Sequence, residues 1–459
     1  MLRNHSRSKK YEIDMCSGPL TGKLVVFAVP LMLSGILQLL FNAADIVVVG
    51  RFAGNHALAA VGATSSLINL LVNLFMGLSV GANVLVARFY GGNQEREIGE
   101  TVHTAVLTAA AGGLLLAVIG FFLSRPLLAM MGTPEDVLDY SVLYMRIYFA
   151  GMPVMLLYNY GSSILRAIGD TKRPLYYLTA AGVVNVILNL IFVIYFHMGV
   201  AGVALATVVS QVISAALIIR CLMRSEGSYR LEWSRLRFYP DKFLKIMKIG
   251  IPAGLQGSVF SISNVLIQSS VNSFGSVAMA GNTAAANIEG FVYTAMNALH
   301  QTALSFAGQN IGARKYGRVY KIMGICLGMV TIVGLVLGNG ASFFGKYLLG
   351  MYSSDVDVIQ YGMVRLSVIC TTYFLCGLMD VMVGVLRGMG YAVMPMVVSL
   401  TGACGLRVLW VFTIFAANRS LFVLYLSYPV TWTITFAAHL LCFLAVRKKV
   451  LALEAGKDL

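Results

Sequence analysis

Leu165-Arg166-Ala167-Ile168-Gly169-Asp170-Thr171-Lys172-Arg173-Pro174 returns 221 residues later as Leu386-Arg387-Gly388-Met389-Gly390-Tyr391-Ala392-Val393-Met394-Pro395. At the same offset Leu127, Leu128, Met130, Asp136, Val137 and Tyr140 match Leu348, Leu349, Met351, Asp357, Val358 and Tyr361. Nearer the start of each half, Pro30 and Asn42 match Pro252 and Asn264 at an offset of 222. The chain is therefore read as two similar halves. Membrane chains built this way carry a site at the repeat interface and move a solute through it.

Composition sets the solvent. Of 459 residues, 58% are hydrophobic and 12% are charged, too few charges for a soluble protein of this size. Apolar runs near or above 20 residues recur from end to end, each long enough to cross about 30 Å of hydrocarbon. The first 20 residues are polar and basic, so no cleavable signal peptide is expected. The seven cysteines form no CxxC and no metal-ligand spacing, and read as small buried hydrophobes.

Twelve helices are expected, at 23–49, 58–90, 101–123, 138–162, 174–196, 200–223, 243–272, 277–309, 319–344, 360–384, 393–416 and 421–446. The fold class is an all-α membrane protein with twelve transmembrane helices, arranged as two six-helix lobes related by a parallel, pseudo-two-fold repeat. The expected parts are a cytoplasmic tail (1–22), an N-lobe (23–223), a cytoplasmic linker read as a flexible joint (224–242), a C-lobe (243–446) and a second cytoplasmic tail (447–459). With the N-terminus inside, inner segments hold 27 lysines and arginines and outer loops only four, Arg51, Arg125, Lys346 and Arg419. Three more, Arg146, Arg365 and Arg407, lie within helices. This asymmetry fits the positive-inside rule and places both termini in the cytoplasm. It also accounts for the net charge of +15 without nucleic acid as a partner. Pro30, Pro153 and Pro252 fall in apolar runs, where they should bend helices.

Charges inside hydrocarbon cost about 2.5–3.5 kcal/mol each even on lenient scales, so few should lack a role or a partner. Asp45 on helix one, Asn185 and Asn189 one turn apart on helix five, and Thr207 on helix six fall at overlapping depths. A carboxylate among amide and hydroxyl oxygens can hold a proton or a sodium ion. The same residues also fit a loop cap and interhelical packing. In the second half Glu289 and Arg407 sit near mid-membrane. Either they pair, or Glu289 faces the cavity and attracts cationic substrate. Asp380 and Gln256 are further candidates, Asp380 fitting equally well as a pairing or capping group. His300 and His439 read as packing residues. Of Phe149, Met152, Met155, Tyr158, Tyr160, Phe291, Tyr293 and Met296, most are expected to face lipid or neighbouring helices, and some to line a soft, aromatic pocket for flat cations.

With these residues in hand, the chain resembles the multidrug and toxic compound extrusion (MATE) family, bacterial branch, over about residues 20–446. The resemblance rests on Asn42-Ala43-Ala44-Asp45, Val49-Gly50, Leu165-Arg166-Ala167-Ile168-Gly169-Asp170, Gly202-Val203-Ala204-Leu205-Ala206-Thr207, Gln309-Asn310-Ile311-Gly312-Ala313 and Leu386-Arg387-Gly388. It implies two six-helix lobes forming a V and export of cationic, often aromatic drugs or metabolites by a monomer. The driving force would be inward proton or sodium flow, with no other cofactor. It also implies a first-lobe cation site at Asp45, Asn185, Asn189 and Thr207. Relatives carry an acid where this chain has Asn189, which leaves Asp45 as the one carboxylate there. Either one acid suffices, or Glu289 or Asp380 shares the coupling. Another branch carries an acid early on helix seven, near Gln256, and its site is not expected to apply.

Three rivals are weighed. A major-facilitator transporter would carry a Gly-Asp-Arg-rich signature between helices two and three, where this chain has Gly91-Gly92-Asn93-Gln94-Glu95-Arg96. A flippase or exporter of a lipid-linked or amphipathic metabolite would favour a strongly basic cavity, and only Arg407 lies deep in this sequence. An enzyme would need converging catalytic groups, which the sequence does not offer.

Overall fold

The computed structural model describes residues 11–454. The expected terminal tails thus fall partly, at 1–10 and 455–459, outside the described residues. Twelve long helices follow one another, and no strand occurs among the described residues. We label them α1 (Leu20–Ala53), α2 (Asn55–Gly91), α3 (Glu95–Met130), α4 (Glu135–Ala150 with Met152–Ala167), α5 (Lys172–Tyr195) and α6 (Gly199–Arg224). The second half supplies α7 (Pro240–Asn272), α8 (Ser276–Gly312), α9 (Tyr316–Phe343), α10 (Val356–Cys370 with Phe374–Gly388), α11 (Val393–Phe415) and α12 (Leu421–Glu454). Nine of these are long and apolar enough to cross a membrane alone, and eleven when the bent halves of α4 and of α10 each count as one span. The twelfth, α8, has 37 residues and falls outside that set because Asn282, Glu289, His300, Gln309 and Asn310 dilute its apolar surface. All five are buried, so these polar groups of α8 face protein.

The repeated motif is a repeated turn. Asp170 N–H donates to Leu165 O at 2.9 Å and Gly169 N–H to Arg166 O at 3.1 Å. In the second copy Tyr391 N–H donates to Leu386 O at 2.9 Å and Gly390 N–H to Arg387 O at 2.8 Å. Both glycines hold positive φ, +102° and +92°, as this helix-ending turn requires. The copies differ where Asp170 becomes Tyr391. The Asp170 carboxylate accepts the backbone N–H groups of Lys172 and Arg173, both at 3.1 Å, and pairs with the Arg173 guanidinium. It thereby satisfies donors at the start of α5, a cap the second copy lacks.

Two helices are broken. α4 bends by 47° at Gly151, where Pro153 opens the second segment, as the proline predicts. α10 bends by 46° with no proline. There the π-helical turn Leu366–Cys370 is followed by Thr371 and Thr372, whose hydroxyls donate to Ser367 O and Val368 O, each at 2.6 Å. Extra backbone length and hydroxyls competing for carbonyls both bend helices. Pro30 and Pro252, by contrast, lie inside continuous helices.

Contacts divide the chain into two compact units, 11–14 with 33–254 and 15–32 with 255–454. The seams fall within α1 and α7 rather than in the 224–242 connection. In unit one that connection is anchored: Tyr229 and Leu231 are buried, Leu231 N–H donates to Leu222 O at 3.1 Å, and Tyr239 N–H donates to Thr104 Oγ1 at 3.2 Å. The expected flexible joint is therefore a docked segment, because its apolar residues find a surface to cover. In unit one α2 and α7 meet through Gly77, Gly81, Gly250 and Gly254, where a Cβ on any of them would collide with the facing backbone. In unit two Phe27 meets the Phe306 ring edge-on at 5.4 Å, which anchors the first turns of α1.

Candidate functional site

Unit one carries a polar cluster between α1 and α5. Gly182 makes it possible, because a side chain there would overlap the Phe41 ring. The two helices therefore approach closely, and one turn beyond this crossing Asp45 faces Asn185 and Asn189. Asn189 Nδ2 donates to Asp45 Oδ1 and, at 2.8 Å, to Asn185 Oδ1. Both amide hydrogens are thus used. Asn189 is fully buried, and its own Oδ1 has no hydrogen-bond partner. Such orphaned acceptors are uncommon and call for an explanation. Asp45 is half-buried.

Of the four expected first-lobe residues, three are brought together. Thr207 is not hydrogen-bonded to them; its hydroxyl donates to Val203 O of its own helix at 3.0 Å. The sequence reading missed Tyr144 and Tyr148 on α4, which lie close enough to interact electrostatically with Asp45. Their rings stack with centroids 6.1 Å apart. Their one-turn spacing was the available signal. Phe149, Met152 and Tyr160, expected as possible pocket surface, are buried in the core.

Unit two is organised around a different charge. Glu289 does not pair with Arg407, one of the two alternatives the sequence left open. Its two oxygens accept from Arg365 Nε and Nη2, each at 2.8 Å, and this bidentate geometry explains the choice. Arg365 Nη1 donates to Asn282 Oδ1 at 2.7 Å, and the Tyr425 hydroxyl donates to the same oxygen at 3.0 Å. Glu289 is therefore held in a closed network rather than presented to a cavity. Depth along each helix allowed the Arg407 pairing; rotation about the helix axes, which depth does not contain, decided against it.

Arg387 Nη2 donates to Gln256 Oε1 at 2.7 Å, so Gln256 serves a buried arginine. Asp380 interacts with Arg387 and with the Tyr293 hydroxyl. His300 Nδ1 contacts Asp380 O at 2.6 Å, and His439 Nε2 contacts Ser399 Oγ at 3.0 Å, both inside the packing as expected for structural histidines. Arg407 is buried and lies over the Tyr428 ring, 4.0 Å from its centroid.

The five π-helical segments among the described residues gather at these clusters. Val49–Ala53 follows Asp45, Ile191–Tyr195 follows Asn189 and Leu366–Cys370 follows Arg365. Leu400–Gly405 and Val411–Phe415 flank Arg407. Such turns are uncommon and concentrate at functional sites. No sequence pattern announced them.

Among the described residues no three His, Cys, Asp or Glu side chains converge. The unit-one cluster presents a single carboxylate with amide oxygens, a set that can take up and release one monovalent charge.

The MatE family model matches twice, at residues 30–191 and 252–413, the same shift that relates Pro30 to Pro252. The chain is 30% identical to the probable multidrug resistance protein YpnP of Bacillus subtilis, across 86% of this chain and 88% of that protein. It is 28% identical to the probable multidrug resistance protein YoeA of the same organism, across 83% and 84%. Its fold is similar to that of a multidrug resistance MATE family transporter of the MOP superfamily solved in an outward-facing conformation (TM-score 0.88, 19% identity, 96% of this chain and 98% of that one). A repeated set of apolar helices, a buried polar cluster in each unit and a family match to each half lead to one conclusion: the chain belongs to the MatE family of multidrug efflux transporters.

Proposed function

We propose that the protein exports cationic, often aromatic organic compounds from a bacterial cell in exchange for inward protons or sodium ions. Asp45 is the coupling acid, and the two lobes expose it alternately to each side of the inner membrane. The protein works as a monomer with both termini in the cytoplasm. One observation carries the reading. Asp45 is bound by Asn189 inside a spanning helix pair, and beside it the Asn189 oxygen has no donor. An ion or proton arriving at the carboxylate supplies a partner for that oxygen. Relatives named as multidrug resistance proteins support the substrate class.

Energetically one proton is enough. Entry under 100 mV releases about 2.3 kcal/mol, and each pH unit adds about 1.4 kcal/mol. Exporting a monocation for one proton is electroneutral, so the pH term alone would drive it.

The test is efflux of ethidium from proteoliposomes with proton and sodium gradients imposed one at a time. Wild-type protein should respond to one gradient, and Asp45→Asn should lose at least about 10-fold of the coupled rate, the scale of a charge-assisted contact. Full gradient-driven efflux by Asp45→Asn would overturn the assignment.

A further inference from the structure

The helices of unit two bury three arginines, Arg365, Arg387 and Arg407, and the acids set beside them are Glu289 and Asp380. Arg365 occupies both oxygens of Glu289, and Arg387 neighbours Asp380. Arg407 has no carboxylate within ion-pair distance and no hydrogen bond among the described residues. It is 2% exposed, and its Nε is buried without a partner. A buried guanidinium left this way is strongly unfavourable unless something completes it.

What surrounds Arg407 sharpens the point. Its guanidinium lies 4.0 Å from the Tyr428 ring centroid, and Arg365 lies 5.7 Å from the same ring. One ring thus serves two cations, of which Arg365 alone has a carboxylate partner. From Tyr428 a row of rings leads outward. Trp432 is 5.5 Å away, Tyr373 stacks on Trp432 at 5.3 Å, and Tyr293 follows at 6.3 Å. Tyr293 is 38% exposed. Arg407 itself sits on a short α-helical turn, Leu406–Trp410, between two π segments. The fold does not require an arginine there, since the repeat offset of 221 places Val186 at the matching position of the first half.

We propose that Arg407 is an anion-recognition residue, taking the carboxylate or phosphate of an aromatic amphiphile whose ring system lies along the Tyr428–Trp432–Tyr373–Tyr293 row. The substrate range then includes aromatic anions and zwitterions besides cations. This rests on the export reading only in taking the ligand as cargo.

The site is tested by binding to purified full-length protein in nanodiscs, with isothermal titration of 2-naphthoate, 2-naphthyl phosphate and the neutral isostere 2-naphthamide. Wild type should bind at least one of the two anions about tenfold more tightly than the amide, the scale of a charge-assisted contact. Arg407→Gln should bring that ratio near one, and Arg407→Lys should keep part of it. Equal affinity for anions and amide in wild type overturns the proposal without any variant, as does an anion preference that survives Arg407→Gln. Ethidium efflux is measured separately: losing it while the anion preference holds sinks the export reading and leaves this site standing.

Discussion

Asn189 is the residue on which the unit-one site turns. Asn189→Leu removes both of its hydrogen bonds, including the one it donates to the Asp45 carboxylate. Losing a hydrogen bond to a charged group is worth about 1.5–3 kcal/mol, so gradient-driven ethidium efflux should fall roughly 10-fold or more. Unchanged efflux would show the amide to be packing only. Glu289 calls for the opposite expectation, since its carboxylate is committed to Arg365. Breaking a buried ion pair from one side costs about 3–5 kcal/mol, so Glu289→Gln should lower the melting temperature in detergent. Replacing both partners, Glu289→Leu with Arg365→Leu, should recover most of that loss. A Glu289→Gln protein of normal stability that has lost coupling would make Glu289 a transport residue instead. The unit-one trio was legible in the sequence because two asparagines four apart must share a helix face and an aspartate must find company in lipid. The Glu289 partner was not, because the sequence marked only Arg407 as deep, and which arginine reaches Glu289 depends on helix rotation.

At the scale of elements, close helix approach and local irregularity place the groups. Gly182 lets α5 lie against Phe41 of α1. Gly182→Val should force the helices apart and destabilise the protein by about 1–3 kcal/mol, as overpacking does. Efflux should fall with it. Adding Phe41→Ala should restore much of both; a thermal melt and an efflux assay on the pair check this. If Gly182→Val behaves as wild type, the crossing does not hold the site together. Helix existence was readable from apolar run length, and the bend in α4 from Pro153. The bend in α10 and the π segments were hidden, since they depend on where hydroxyls and carbonyls meet in space rather than on residue type.

For the molecule as a whole, the basic residues decide orientation. Arg419 and Lys172 are both exposed, and the charge asymmetry places them on opposite sides. In a variant with the seven cysteines replaced, Arg419→Cys should react with a membrane-impermeant maleimide on intact cells. Lys172→Cys should react only after permeabilisation. The reverse pattern would invert the topology. The sequence alone determined the all-helical class, the count of twelve and the doubling of the chain. Spanning lipid forces every backbone group into helix, and a repeated turn motif survives as repeated letters. Tertiary structure alone decided that the seams lie within α1 and α7, that the 224–242 segment docks on unit one, and that Arg365 rather than Arg407 neutralises Glu289. Each of these depends on which surfaces bury one another, and burial is a property of packed helices in three dimensions that linear spacing does not carry.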